Sequence, residues 1–370
     1  MRITELRERT VAIGAPMRNA AIAFDEMTAS AVAMVSDRGL TGYAFDSIGR
    51  YGKGALLRER FFPRLLQAKP DSLIDGAGLI DPPACARAAM ANEKPGGHGE
   101  RPGAVGLIEA AAWDLRAKVQ GVPLWRSLAD YYRTKGADRT ISVYASCGHF
   151  REDDRAEHEV RRALDLGYRT VKIKLQGAGD DIGRVESVAG LGVKLAVDLN
   201  GVLDSQGAER WFSAMVQFGL AWIEEPAPPL DYELLKRYAE LSPAPLATGE
   251  NLFSLDDARN LLRYGGLRAE RDFLQFDPLL SYGVDEYVRI LGLYFQWERR
   301  QFLPHAGHLF AAHCVAGLGL GMAEAAPDAS LSYGGYWDGV RVQDGRVKIP
   351  DAPGAGYEAK ANLFAVLENT

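Results

Sequence analysis

The chain has 370 residues, 47% of them hydrophobic and 25% charged, the proportions of a folded protein with a sizeable core, which excludes disorder as the default. Its 43 Lys and Arg stand against 49 Asp and Glu for a net charge of -6, and no basic run occurs, so neither a nucleic acid nor an anionic membrane is an expected partner. Cys85, Cys147 and Cys314 show none of the close spacing of a zinc site or a disulfide framework. No stretch nears the roughly 18 apolar residues needed to span a bilayer, and Met1 to Glu8 has no apolar signal core, so a cytoplasmic location is expected.

In chain order, residues 1 to about 45 hold short apolar runs, Ala29–Ser36 and Leu40–Phe45 among them, separated by Gly, Asp and Arg; this predicts an antiparallel meander. Helical spacing follows over Ala55–Gln67 and Ala104–Val119, the second stopped by Gly121 and Pro123. Between them Asn92–Arg101 is too rich in Gly and Pro for a regular element. Residues 1–125 therefore read as a small α+β domain.

From about residue 140, and up to about 335, short apolar strands alternate with amphipathic helical stretches, the pattern of βα units around a parallel sheet. The predicted strands are Thr170–Leu175, Lys194–Asp198, Leu220–Glu224, Leu246–Glu250, Phe273–Asp277 and Gln301–His305. One helix start is explicit: Ser254 can cap a helix with Asp257 three positions on, and Gly265-Gly266 closes it.

Spacing carries most of the functional information. Lys174, Asp198, Glu224, Glu250, Asp277 and His305 are separated by 24, 26, 26, 27 and 28 residues, about one strand-loop-helix-loop unit each. A (β/α) barrel gathers the C-terminal ends of its strands at one mouth, so six residues distant in sequence are expected on one rim. Strand alternation places Lys172 and Lys174 on one face, toward the barrel axis, and Asp198 with Asn200 on another shared face.

Three carboxylates on successive strand ends, Asp198, Glu224 and Glu250, supply oxygen ligands to a hard divalent cation, magnesium first and manganese as a substitute. Lysine near a second cation and a metal has its ammonium disfavoured, so Lys174 is expected to act as a base, with Lys172 tuning it and holding a substrate carboxylate. Asp277 can fix the tautomer of His305, making an acid/base dyad. A metal between a lysine and a histidine suits proton removal next to a carboxylate, because the cation offsets charge on the enediolate. Histidine then returns a proton, giving racemisation, or protonates a departing hydroxyl, giving dehydration. A Schiff-base aldolase using Lys172 or Lys174 and a non-catalytic binding barrel are the remaining readings. His98, His149, His308 and His313 lack such support and read as loop or packing residues, His149 being kept in view because its loop follows a predicted strand, and His158 reads as part of a solvated helical face.

The pieces Lys172-Ile-Lys174, Asp198-Leu-Asn200, Glu224-Glu-Pro226, Gly249-Glu-Asn251, Asp277 and Pro304-His305 resemble the enolase superfamily, and within it the mandelate racemase subgroup. The resemblance implies an α/β fold: a modified (β/α) barrel over residues 140–335 beneath an N-terminal α+β capping domain, completed by a C-terminal segment, 340–370. It also implies Asp198, Glu224 and Glu250 as magnesium ligands, Lys174 as base, and Asp277 with His305 as the second acid/base. Pro16-Met-Arg-Asn19, Asn92–Arg101, Ala247–Ser254, Asp257–Gly266 and Leu280-Ser-Tyr-Gly283 further resemble the D-tartrate dehydratases. That likeness implies substrate contacts from Asn19 and Lys94, with Glu324 beyond the next strand near the mouth. Ile48, the loop Cys147–Arg151 and Ala306 depart from the pattern and bear on substrate identity. The expected activity is magnesium-dependent dehydration of a small anionic acid sugar or hydroxy diacid, D-tartrate to oxaloacetate in the leading case, by a homo-oligomer.

Overall fold

In a computed structural model of the protein, the structure describes residues 1–96, 99–150, 156–305 and 308–370. The loop positions His98, Arg151 and Ala306 lie outside the described residues.

Three antiparallel strands open the chain in the order β1 (Ile3–Ala12), β2 (Thr28–Ser36) and β3 (Thr41–Phe45). A wide turn of i→i+5 helix, Leu56–Phe61, runs into α1 (Phe62–Gln67), where Pro63 occupies the first turn and so gives up no helical donor. Helices α2 (Pro82–Ala89), α3 (Arg101–Gln120) and α4 (Leu124–Tyr132) follow. α3 is rich in small residues and buried nearly all round, because it lies between the cap sheet and the barrel. At Gly106 a Cβ would stand 1.8 Å from the carbonyl oxygen of Leu279, so only glycine lets α3 approach that barrel segment.

The barrel then builds one βα unit at a time: β4 (Thr140–Cys147), α5 (Ala156–Asp165), β5 (Thr170–Lys174), α6 (Asp181–Ala189), β6 (Lys194–Asp198), α7 (Ala208–Met215), β7 (Ile223–Glu224), α8 (Tyr232–Leu241), β8 (Leu246–Thr248), α9 (Leu255–Tyr264), β9 (Phe273–Leu274), α10 (Val284–Leu293), α11 (Leu309–Leu318) and β10 (Met322–Ala325). The curled sheet runs β10-β4-β5-β6-β7-β8-β9, parallel throughout that path. α9 starts as expected: the Ser254 hydroxyl accepts the Asp257 N–H at 3.1 Å.

The strand prediction needs correction at one stave. Gln301–His305 is not a strand; Arg299–Gln301 forms a turn of 3-10 helix, and the segment beyond it makes one parallel bridge, Leu274 with Phe302. It still fills the gap between β9 and β10, because Leu303 N–H donates to the Leu274 carbonyl at 2.9 Å and Gly321 N–H to Phe302 at 3.0 Å. Pro304, lacking an N–H, prevents the ladder from continuing. The ladders of β8 and β9 also end before the predicted strands do, since the chain leaves the sheet as it reaches the mouth, while β7 ends at Glu224 as predicted but begins three residues late.

After β10 the chain pairs β11 (Arg346–Lys348) antiparallel with β4, then returns to the cap, where α12 (Ala361–Glu368) packs on β2 and β3. Asp114 of α3 anchors this return, accepting from Ala355 N–H at 2.6 Å. Among the described residues no helix is long and apolar enough to cross a membrane.

Candidate active site

Asp198 and Glu224 end β6 and β7, and Glu250 stands two residues past β8, beyond Gly249, whose φ of +123° turns the chain toward the axis. One carboxylate oxygen from each of the three lies within 4.8 Å of the others, and all three residues are buried. Asp198 and Glu224 are also braced by neutral donors. Glu224 Oε2 accepts from Gln275 Nε2 at 2.6 Å and Trp222 Nε1 at 3.0 Å, and Asp198 Oδ1 from the Asn200 N–H at 2.9 Å. Three converging anionic oxygens out of water fit a hard divalent cation, since they repel one another without a positive charge between them.

Lys174 donates to Asp198 Oδ2, and Lys172 donates to Glu224 and lies 3.0 Å from Glu324 and 3.4 Å from Asp198. The two lysines share a face, but Lys172 sits one layer deeper, over the Tyr144 ring, and does not line the cavity. Its role in this arrangement is charge balance beneath the triad. The lowering expected of the lysines presupposes a cation beside them; from the protein's own groups the direction is the reverse. Burial works against both ammonium groups, yet the carboxylates outweigh it: Glu224, Glu324 and Asp198 hold Lys172 well above the ordinary lysine range, and Asp198 chiefly raises Lys174. Burial, then Asp198, Glu324 and Glu250, push the Glu224 carboxyl up against the pull of Lys172.

Asp277 and His305 do meet. His305 Nδ1 donates to Asp277 Oδ2 at 3.1 Å, while Nε2 lies 3.6 Å from Glu250. Burial opposes the imidazolium, but Glu250, the Asp277 hydrogen bond and Glu324 push the ring up to about 9. Around the rim, Lys174 precedes the triad and His305 follows it. Glu324 lies within β10, not beyond it, because the ladder with β4 extends through Ala325.

A cavity of about 230 Å³ opens over these groups and is lined by Lys174, Asn200, Glu250, His305 and Glu324 from the barrel. Among the described residues the Asn200 Oδ1 and Glu324 Oε2 atoms are buried without a hydrogen-bond partner, as groups awaiting a polar ligand would be. The cap closes the cavity with an apolar wall, Met17, Ile22, Phe24 and Ile48, and with Asn19. Asn19 spends its Oδ1 on the Ala21 and Ile22 N–H groups at 2.8 and 2.7 Å, leaving its NH2 to offer a ligand. Lys94 is exposed and does not line the cavity. Its neighbour Glu93 is paired with Arg60, Arg64 and Arg101, and the Gly96 carbonyl of the same loop accepts from Arg101 and, at 3.3 Å, from the Tyr282 hydroxyl.

Arg50, Asn251, His149 and Glu225 also line the cavity and were not singled out as site groups by the sequence reading. Arg50, stacked over Phe253 at 5.7 Å, donates to Asn251 Oδ1, and Asn251 Nδ2 donates to Glu225 at 2.8 and 2.9 Å. His149, read as packing, lies on the wall edge-on to Phe24. Glu225 was hidden by alternation, which sends it away from Glu224; its φ of +39° brings it back to the mouth. The Glu-Glu-Pro and Gly-Glu-Asn runs were the only signals for Glu225 and Asn251.

A barrel whose mouth gathers three metal-type carboxylates between a lysine and a histidine, under an antiparallel cap, defines a class of lidded α/β barrels built around a cation site. The chain belongs to the enolase C-terminal domain-like family, whose model matches residues 155–363. It is 31% identical over 262 residues to the o-succinylbenzoate synthase of Geobacillus stearothermophilus and 28% identical over 268 residues to the L-talarate/galactarate dehydratase of Salmonella typhimurium. These matches take in 68% and 69% of this chain but only 66% and 62% of those relatives. In fold it is similar to a racemase from Streptomyces coelicolor solved with bound magnesium, with a TM-score of 0.79, 23% identity and 99% of each chain covered. It is likewise similar to the L-talarate dehydratase of Polaromonas solved with Mg and L-glucarate, with a TM-score of 0.77, 24% identity, and 96% and 94% of the two chains covered.

Proposed function

We propose that the protein is a magnesium-dependent lyase that removes water from a small hydroxy diacid or acid sugar, D-tartrate to oxaloacetate in the leading case. The observation that carries this reading is the meeting of Lys174, Glu250 and His305 on one cavity, with Asp198 and Glu224 buried against Glu250 in the triad. The dehydratases among its relatives support the reaction class. The cavity, about 230 Å³, and its apolar cap wall favour a short acid over a long polyhydroxylated one, whose distal hydroxyls would lie against Ile22 and Ile48 unpaired.

Asp198, Glu224 and Glu250 would hold a divalent cation, magnesium or manganese, which would supply positive charge toward the substrate carboxylate and offset the carboxylates that hold Lys174 protonated. Lys174 takes the α-proton from the rim position before the triad. His305, oriented by Asp277, donates a proton to the β-hydroxyl, which departs as water, and the enol relaxes to a 2-oxo acid. Asn200, Glu324 and the Asn19 NH2 are placed to hold the substrate hydroxyls, and Arg50 to meet a distal carboxylate. Returning a proton from His305 to the α-carbon instead would make the protein a racemase, as the Streptomyces neighbour is called.

Incubating a panel of hydroxy diacids and acid sugars with the protein and magnesium, and assaying 2-oxo acids, tests the reading. Formation of a 2-oxo acid that stops on chelation is expected. Deuterium entering recovered substrate without loss of water would replace dehydration by racemisation.

A further inference from the structure

The oxygen of Asp277 that holds His305 has a second partner, and it comes from the other side of the molecule. Ser47, on the cap loop after β3, places its hydroxyl 2.5 Å from Asp277 Oδ2, with both residues fully buried. Asp277 Oδ1 is taken by the Leu279 and Leu280 N–H groups at 2.7 and 3.3 Å. Ser47 and the imidazole therefore share the one remaining oxygen, and the hydroxyl helps decide where that oxygen points.

The same cap loop touches the site twice more, through Ile48 on the cavity wall and Arg50 on Asn251, next to Glu250. Its base is rigid. Asp46 forms a buried ion pair with Lys53, both oxygens 2.8 Å from the ammonium, and accepts the Ser30 N–H. A loop fixed at its root, in contact with the ligand space and bonded to the carboxylate behind the acid can pass its own position to that acid.

We propose that Ser47 is a positioning residue for His305, through which the seating of the cap loop over a ligand sets the orientation of the barrel's proton donor. This rests on the reading of His305 as the acid and deepens it: elimination requires the loop in place, whereas proton removal by Lys174, on the far side of the triad, does not.

The test compares S47A and S47T with the unaltered protein, labelled with 15N-histidine, the His305 Nδ1–H signal being assigned by its absence in H305N. In S47A the signal is expected to shift and in S47T to stay. With D-tartrate and magnesium, kcat for 2-oxo acid formation is expected to fall about tenfold in S47A with KM within about twofold, the size of one lost charge-assisted hydrogen bond. Deuterium exchange at the α-carbon stays near its unaltered rate, and S47T restores kcat. An unmoved His305 signal in S47A, or exchange and elimination falling together, overturns the proposal. If S47A melts well below the unaltered protein, S47C carries the same measurements. If no acid is turned over by the unaltered protein, the dehydratase reading fails while the histidine signal still decides the role of Ser47.

Discussion

Lys174 donates its hydrogen bond to Oδ2 of Asp198, so one carboxylate is both the partner of the candidate base and a corner of the triad. A cation bound at the triad would share that carboxylate with Lys174, and its binding free energy adds to the stability of the folded chain. Millimolar magnesium is expected to raise the melting temperature, by the equivalent of about 2.7 kcal/mol at a hundredfold excess over Kd. Glu250→Gln, which removes one anionic donor, should lose most of that shift in calorimetry. An equal shift in the variant would place the ion elsewhere.

His305 is separated from Lys174 by the whole triad, so the two proton transfers should separate by mutation. His305→Asn is expected to slow 2-oxo acid formation by about 10² to 10⁴ while α-proton exchange with D2O continues. Proton NMR of the substrate follows both at once; loss of exchange in step with elimination would show that His305 serves the first step as well.

His313 lies apart from the site and gives the fold an acid-sensitive joint. Its Nδ1 accepts the Trp125 N–H at 3.0 Å and its Nε2 donates to the Ala355 carbonyl at 3.1 Å, so the neutral ring satisfies both partners. Burial drives its pKa down to about 3, against the Ala355 bond. Below about 6.5 the unfolded chain binds a proton that the folded chain refuses. The contribution is therefore complete above that pH and is lost as pH falls toward 3, on the order of 5 kcal/mol in full. His313→Gln should flatten the slope of unfolding free energy between those limits in urea titrations, at the expense of stability near neutrality. An unchanged slope would assign the acid sensitivity to other groups.

Gly106 sets how closely α3 approaches Leu279, two residues past Asp277, so a side chain there disturbs both packing and the dyad. Gly106→Ala is expected to destabilise by about 1 to 3 kcal/mol, the usual result of overfilling a packed interface. Calorimetry measures this directly, and a neutral substitution would mean that the two elements separate freely.

Much of the site could be read from the residues themselves. The recurrence of Lys174, Asp198, Glu224, Glu250, Asp277 and His305 at one unit's spacing follows from repeated βα folding, and the structure brings these side chains to one mouth. Alternation held within β5, where Lys172 and Lys174 share a face, but could not tell that one layer of depth removes Lys172 from the cavity. It failed past the ends of the strands, where Glu225 turns back through a left-handed conformation. His305 was placed at the mouth although its stave is a single bridge, because Pro304 breaks the ladder without moving the chain. Ser47 and Arg50 were not legible, since their meeting with Asp277 and Asn251 depends on how the cap docks. Lys94 stands outside the cavity lining in this structure, its neighbour Glu93 held by an arginine cluster.

Removal of the α-proton by Lys174 is the central claim, and it is tested most directly by incubating D-tartrate with magnesium in D2O and comparing the unaltered protein with Lys174→Ala. The account predicts oxaloacetate and water from the unaltered protein and neither deuterium exchange nor product from the variant. Exchange or turnover at an undiminished rate in the variant would contradict it.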